Sequence, residues 1–443
     1  MLVKAIFTNS SGILASRIMG FIRDMLTASI LGANIYSDIF FIAFKIPNLF
    51  RTVFAEGAFT QAFIPAFSRS NQKVRFTTII FSQLIFILMI LSFLVTIFAE
   101  AITALIAVGF DNHTIDLAAP LVAINFYYLP LIFCVTFLGA ILQYKNHFAT
   151  TAYSTALLNL AMIISLILAK GLEASQVVYY LSFGVIVGGI LQLLTHIISI
   201  KNKNLSKFFV FNQKLIATKK SVTNGFYKTF LPAILGSSTA HIAAFIDTML
   251  ASFLVAGSIS YLYYANRIFQ LPLALFAIAT SVALFPSIAK AIKNQDEARA
   301  LTLLRKSFWG LLAILFVSAF VGIVFNNEII WLLFERGAFD ANDTKNTALI
   351  LAMYLIGLIP FGLAKIFSLW LYSHQKQMIS AKISAKSLTF NIIFSLILIT
   401  PFGAAGLAFS STMTGFVLFL LTIKEFGFRL FYQKIIMQDN KLN

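Results

Sequence analysis

Between Ser16 and Phe59 the chain places Arg17, Arg23, Asp24, Asp38, Lys45, Arg51 and Glu56 inside two runs that are otherwise apolar enough to cross a membrane. An ionised side chain at the centre of a spanning helix costs roughly 2.5 to 3.5 kcal/mol on insertion scales, so such a group of charges calls for a wet, protein-lined space. Arg17 and Asp24 are seven residues apart, two helical turns, which stacks them on one face about 10 Å apart along the axis. Arg23 projects off that face. Asp38 and Lys45 repeat the spacing on the second run. Pro47 then withdraws a backbone donor, so Asn48, Arg51 and Glu56 are expected beyond a break. Gly12, Ser16 and Gly20 form a small-x3-small stripe that predicts close packing of the first run on a neighbour.

The second half of the chain adds Arg267 in YLYYANRIFQLP, together with Asp247 and Lys365. The spans thus hold the cations Arg17, Arg23, Lys45, Arg51, Arg267 and Lys365 against the acids Asp24, Asp38, Glu56 and Asp247, a positive surplus. Two readings follow. The charges can pair off as buried ion pairs, Asp24 with an arginine, Asp38 with Lys45 and Glu56 with Arg51. Alternatively, the surplus meets water or an anionic substrate, and arginine's planar fork suits a phosphate or pyrophosphate oxygen. Tyr261, Tyr263 and Tyr264 fit either sugar contacts or an interfacial aromatic belt, and Lys365 has a stem long enough to reach an interface.

The elements that must position these groups are membrane spans. Of the 443 residues 59% are hydrophobic and 11% charged, and the mean hydropathy is +0.89, outside the range of soluble domains. Apolar runs long enough for a hydrocarbon layer of about 30 Å fall near 5–31, 35–55, 77–109, 118–143, 151–170, 175–200, 226–255, 258–287, 307–334, 347–372, 380–400 and 404–431. The expected fold is therefore an all-α polytopic membrane protein of about 12 transmembrane helices. Proline or glycine inside the second, fourth, eighth and tenth predicts broken or kinked helices there. The N-terminus reads as a retained first span, because Thr8 to Ser11 and Arg17 interrupt any signal-peptide core.

Alternate loops collect lysine and arginine: Arg69 to Arg75, Lys145, Lys201 to Lys228, Lys290 to Lys306, and Lys376 to Lys386. By the positive-inside rule both termini are expected in the cytoplasm. The net charge of +17 belongs to these scattered loops and not to a nucleic-acid-binding patch. Residues 201–225 interleave lysines with Phe208, Phe209, Phe211, Leu215 and Ile216, the pattern of a basic amphipathic linker on the inner membrane surface. It separates an N-lobe (1–200, spans 1–6) from a C-lobe (226–432, spans 7–12), and 433–443 forms a cytoplasmic tail.

The halves read as repeats. Asp24 set against Asp247 aligns Ala28-Ser29 with Ala251-Ser252, and Ala43-Phe44-Lys45-Ile46 then meets Ala265-Asn266-Arg267-Ile268 after one residue of slippage. Six spans per half keep both copies in one orientation, which predicts two pseudo-symmetric six-helix lobes around a central cationic cavity. Enzyme signatures are nearly absent. The five histidines are dispersed without metal-ligand spacing and no glycine loop cradles a phosphate. The chain reads as a transporter with no cofactor, driven by the membrane potential or by H⁺ or Na⁺ coupling through Asp24, Asp38 or Asp247. Cys134, with no second cysteine, excludes an intrachain disulfide.

SRIMGFIRD, SDIFFIAFKIPNLFR and FAEGAFTQAFIP, with SFLVAGSISYLYYANRIFQLP and LLFERGAFDANDT in the second half, resemble the MurJ/MviN lipid II flippases of the multidrug/oligosaccharidyl-lipid/polysaccharide exporter superfamily. The resemblance spans essentially the whole chain. It implies two lobes in a V around a cationic cavity in the bacterial cytoplasmic membrane. The substrate it implies is lipid II, undecaprenyl-pyrophosphate disaccharide-pentapeptide, exported for peptidoglycan synthesis. Arg17, Arg23 and Arg267 match the family's arginines for the pyrophosphate, with Lys45, Arg51 and Asn48 lining the same cavity. Asp24, Asp38, Glu56, Asp247 and Lys365 are expected in gating and charge balance. Membrane lipids and cell-wall synthesis proteins are the other expected partners. Many relatives carry two further C-terminal spans that help form a groove for the lipid tail, where this sequence counts about twelve in all. Asn266 stands where relatives often have an aspartate beside the arginine. Two rivals remain: a cation-coupled multidrug antiporter, which should carry surplus acids, and an exporter of another polyprenyl-linked oligosaccharide.

Overall fold

The computed structural model describes residues 2–53, 59–208 and 224–437, with side chains described throughout these except in 2–10, 52–53, 224 and 231–241. All regular secondary structure among the described residues is helical. Hydrocarbon offers no hydrogen bonds, and a helix satisfies each backbone N–H and C=O within its own segment. The first half comprises α1 (Leu2–Leu31), α2 (Ile35–Val53), α3 (Phe59–Arg69), α4 (Lys73–Ile97), α5 (Ala99–Ile106), α6 (Asn112–Phe126), α7 (Tyr128–Tyr144), α8 (Ala149–Leu168) and α9 (Ala174–Asn202), followed by a 3-10 turn, Ser206–Phe208. The second comprises α10 (Asn224–Ala251), α11 (Ser258–Pro272), α12 (Ala279–Lys293), α13 (Glu297–Val324), α14 (Asn326–Phe334), α15 (Ala341–Ile356), α16 (Leu358–Ser373), α17 (Gln377–Phe426) and the short α18 (Phe428–Leu430).

Among the described residues, 8 stretches are long and apolar enough to cross a membrane. One is the 50-residue α17, where Gly403 leaves helical geometry at φ 54°, ψ −133°. Ser395 and Ser410 hydrogen-bond to each other at 2.9 Å, so the predicted spans 380–400 and 404–431 are the two arms of a hairpin. With α1, α2 and α10, each of the predicted runs has its helix, consistent with twelve.

Breaks fall where proline and glycine predicted them in three spans. The fourth is divided at Tyr127 between α6 and α7. The eighth contains a π-helix, Leu273–Ile278, directly after Pro272. The tenth is divided at Gly357. Pro47 behaves otherwise: α2 continues through it to Val53, so the expected break before Asn48 is absent. Proline removes one N–H bond from the ladder. The preceding turns are buried through Phe40, Phe41 and Phe44, the first and last stacked at 6.0 Å, and this packing holds the helix across the defect.

The chain forms two compact units. Unit 1 is residues 1–241 with Arg336–Phe339, and unit 2 is 242–335 with 340–443. The predicted linker, 201–225, lies outside the described residues from 209 to 223.

Within unit 1 the predicted small-residue stripe packs α1 on α8: a side chain at Gly12 would put its Cβ 2.7 Å from the Ala152 Cβ. Aromatic rings fill the middle of the unit, with Phe59, Phe63 and Phe67 of α3 against Phe133 and Phe137 of α7 and Phe226 of α10. Four residues from far along the chain complete unit 1. The Ala338 N–H donates to the Ser29 carbonyl at 2.8 Å. Gly337 (φ 63°) lies so close to that carbonyl that any Cβ would collide with it, and a Cβ on Gly32 (φ 70°) would strike the Ala338 carbonyl.

Candidate functional site

In unit 1 the first charged face is built on the contact between α1 and α8. Arg23 and Asp24 are both buried, 8% and 1% exposed. The Arg23 guanidinium donates to Asp24 Oδ1 from Nη2 and, at 3.1 Å, from Nε. Its Nη1 donates to Asn159 Oδ1 of α8 at 3.1 Å and lies 3.7 Å from Met162 Sδ. Asn159 also donates from Nδ2 to the Ser16 carbonyl at 3.1 Å, which ties α8 back to α1. Arg23 was expected to project away from the aspartate. Its Cβ does lie about 100° round the helix, as 3.6 residues per turn requires, but four more bonds to the guanidinium carry the charge back. The pairing of Asp24 with an arginine is therefore present, and it is the neighbouring one.

Arg17, two turns before Asp24, is exposed. Across the turn, Asn34 starts α2 by accepting from the backbone N–H of Tyr36 and Ser37 at 2.9 and 3.3 Å. This cap sets Asp38 in the first turn of α2, where it is 2% exposed and a negative charge meets the positive end of the helix dipole. Lys45, Asn48 and Arg51 follow on the same continuous helix, all half-buried. Arg51 donates from Nε to Asn48 Oδ1 at 3.2 Å, so these two form one polar group. Glu56 lies outside the described residues.

In unit 2 Asp247 of α10 receives two hydroxyls from the α17 hairpin: Ser395 Oγ donates to Oδ1 at 3.2 Å and Ser411 Oγ to Oδ2 at 3.1 Å. Ser410 joins Ser395 and donates to the Asn391 carbonyl at 3.0 Å. Asn391 is 2% exposed and its side-chain Oδ1 is buried with no hydrogen-bond partner among the described residues. Sequence reasoning selected Asp247 and missed this serine and asparagine shell. The available signal was Asn391 and Ser395, one turn apart in an apolar arm, facing Ser410-Ser411 in the other.

Arg267 is half-buried on α11, and its neighbour Asn266 accepts from the Gln270 side chain. The tyrosines of α11 match neither expectation fully. Tyr261 is buried and donates to Asp343 at 2.9 Å, and Tyr264 packs on Phe334 at 5.1 Å. Both are core residues, which leaves the half-buried Tyr263 for another role. Lys365 of α16 is exposed.

Comparisons with known proteins agree with one another. The family model described as Lipid II flippase MurJ matches residues 27–439. A Helicobacter pylori protein named "Probable lipid II flippase MurJ" is 48% identical over 418 residues, covering 92% of this chain and 91% of its own. One from Buchnera aphidicola with the same name is 34% identical over 446 residues, covering 98% and 85%. Among solved structures, "Lipid II flippase MurJ, inward closed conformation" superposes with a TM-score of 0.84 at 26% identity, covering 98% of this chain and 93% of that one. An inward-facing multidrug resistance MATE family transporter of the MOP superfamily matches in fold, with a TM-score of 0.76 at 13% identity.

Proposed function

The chain belongs to the lipid II flippase MurJ family, and from that premise we propose how its charged helices carry lipid II from the inner to the outer leaflet of the bacterial cytoplasmic membrane for cell-wall synthesis. The protein is a multi-pass membrane transporter and not an enzyme. Arg17 and Arg267 contact the pyrophosphate directly, with Lys45 and the Arg51–Asn48 pair adding cationic and polar lining. Arg23 serves the same site at one remove: committed to Asp24 and Asn159, it fixes the face of α1 that presents Arg17. Asp38, Glu56 and Lys365 balance charge as the lobes, 1–200 and 226–432, rock between inward-open and outward-open states. Both termini lie in the cytoplasm.

The observation that carries this reading is the exposed Arg17 two turns from a buried, neutralised Arg23–Asp24 pair, because exposure leaves only Arg17 of the three available to an incoming anion. A multidrug antiporter of the same architecture would need surplus acid in its cavity, and the surplus here is basic. For energy coupling Asp247 is the better candidate of the acids considered. Asp24 accepts a guanidinium, and Asp247 accepts two serine hydroxyls whose rotation can make room for a proton or Na⁺. The membrane potential, worth about 2.3 kcal/mol per charge per 100 mV, can add to either. Cell-wall synthesis proteins are the natural protein partners.

The test is rescue of flippase-depleted cells with lipid II translocation as the readout. Arg17→Ala and Arg267→Ala abolish rescue at normal membrane levels, whereas Arg23→Ala abolishes it with reduced levels. Arg267→Lys rescues poorly, since a point charge cannot replace a fork. Normal rescue by Arg17→Ala and Arg267→Ala together would reject the substrate contact.

A further inference from the structure

At one end of unit 1, two helix C-termini finish side by side in the same motif. Helix α7 ends Lys145-Asn146-His147: Asn146 adopts φ 60°, its N–H donates to the Gln143 carbonyl at 2.8 Å, and the His147 N–H donates to the Leu142 carbonyl at 2.9 Å. Helix α9 ends Lys203-Asn204-Leu205 with φ 53° at Asn204 and the matching pair of bonds, to Lys201 at 3.0 Å and Ile200 at 3.0 Å. These are twin Schellman caps, with asparagine in the left-handed position. The following 3-10 turn brings in Lys207. It is pinned to α4, where Thr77 Oγ1 donates to the Phe208 carbonyl at 2.6 Å. Lys145, Asn146, His147, Lys203, Asn204 and Lys207 line a pocket of about 380 Å³.

Lysines near helix C-termini ordinarily complement the helix dipole. Two termini supply only about half a negative charge each, and the caps already give several of the last carbonyls a backbone N–H donor. Three full positive charges exceed that requirement, and among the described residues no carboxylate pairs with Lys145, Lys203 or Lys207. Helix α9, whose C-terminus forms one wall of the pocket, carries an apolar exposed flank through Leu191, Leu194, Ile197 and Ile198. A cationic, hydrogen-bonding pocket at the end of an acyl-chain-compatible flank is complementary to a phospholipid and not to a free ion.

We propose that this pocket binds the phosphate-bearing headgroup of an anionic membrane phospholipid, with one acyl chain lying along α9. Lys145, Lys203 and Lys207 supply the charge, and the Asn146 and Asn204 amides supply hydrogen bonds to phosphate or glycerol oxygens. His147 lies at the wall, donating or accepting at 2.9 Å with Thr150. Burial and the Lys203 charge hold its pKa below the usual imidazole value. A bound anion opposes the second of these, so lipid affinity rises as pH falls through the histidine range. Lys145, Lys207 and the buried His196 are the other titratable groups near it.

The experiment uses the full chain purified in detergent and native mass spectrometry with phosphatidylglycerol or phosphatidylcholine of identical acyl chains. Wild type is expected to retain phosphatidylglycerol at least about tenfold better. Lys145→Gln/Lys203→Gln/Lys207→Gln should bring it down to the phosphatidylcholine level. The triple arginine variant keeps the preference, as does Lys290→Gln/Lys293→Gln/Lys306→Gln, which loses the same charge elsewhere. Thermal unfolding of each variant separates lost binding from lost fold; if the glutamine variant unfolds, Lys203→Gln alone must still weaken retention. An unchanged preference in the pocket variants, or an equal loss in the control, overturns the proposal. So does displacement of the lipid by millimolar inorganic phosphate, which would identify a free anion as the ligand.

Discussion

Asp24 and Asp247, which the alignment of the two halves of the sequence sets against each other, sit in different surroundings in the structure. Asp24 accepts from the guanidinium of its own neighbour, which in turn donates to an asparagine of α8. Asp247 takes hydroxyl donors from both arms of α17. Moving a carboxylate out of water is costly unless its lone pairs are met, and the donors seen differ: guanidinium N–H groups on Asp24 Oδ1, serine hydroxyls on both oxygens of Asp247. A full counter-charge makes the first aspartate a fixture. The second is held by hydroxyls from both arms of one hairpin, so the two positions are fixed by different elements and different donors.

The sharpest way to break this contrast is to remove the carboxylate of the charged pair. Asp24→Ala leaves Arg23 buried without its counter-ion, and loss of one partner of such a pair costs about 3 to 5 kcal/mol. Thermal unfolding of the purified protein should show a large drop, and membrane levels should fall with it. Replacing both members, as Arg23→Met/Asp24→Leu, should recover most of the stability while leaving rescue of depleted cells abolished, since a well-packed apolar pair often matches a buried ion pair. If the double variant is as unstable as the single one, the pair does more than neutralise charge.

The next largest effect belongs to Asn159. Asn159→Ala deprives Arg23 Nη1 of an acceptor and the Ser16 carbonyl of a donor. With one bond to a charged group lost, a decrease of about 2 to 3 kcal/mol is expected, again by thermal unfolding. Asn159→Asp should recover part of it, because the carboxylate still accepts from Arg23. Asn159→Asp proving worse than Asn159→Ala would mean that the bond to Ser16 dominates.

Much of this was legible before the structure. Hydropathy located the helices, proline and glycine located three of the four expected breaks, and the Gly12 stripe anticipated the close packing of α1. The failures have physical reasons. Helical-wheel reasoning follows Cβ positions and cannot see a guanidinium folding back along its stem, so Arg23 was assigned to the wrong face. Pro47 was read as a break because its own backbone defect is visible in sequence, while the phenylalanine packing around it is not. Ser395 and Ser411 look like ordinary helix-packing hydroxyls until the turn at Gly403 brings the arms together. The docking of Ala338 on Ser29, more than three hundred positions away, has no local signal.

The smallest predicted effects distinguish the two hydroxyls on Asp247. Three links run through Ser395 and Ser410: one to Asp247, one between the serines, and one to the Asn391 carbonyl. Two hydroxyl hydrogens cannot serve all three at once, so at least one is shared in time, and the Ser395 hydrogen has in Ser410 Oγ, 2.9 Å away, a second acceptor besides Asp247. Ser411 has a single bond, to Oδ2, and its hydrogen is committed there. Ser411→Ala should therefore cost about 1.5 kcal/mol, near the lower end for a bond to a charged group, and Ser395→Ala less than about 1 kcal/mol. If Asp247 binds the coupling cation, adding Na⁺ or lowering pH should shrink both costs, because the incoming ion or proton takes over the missing donor's role. Costs that are equal and insensitive to Na⁺ and pH would mean that Asp247 is as fixed a structural charge as Asp24.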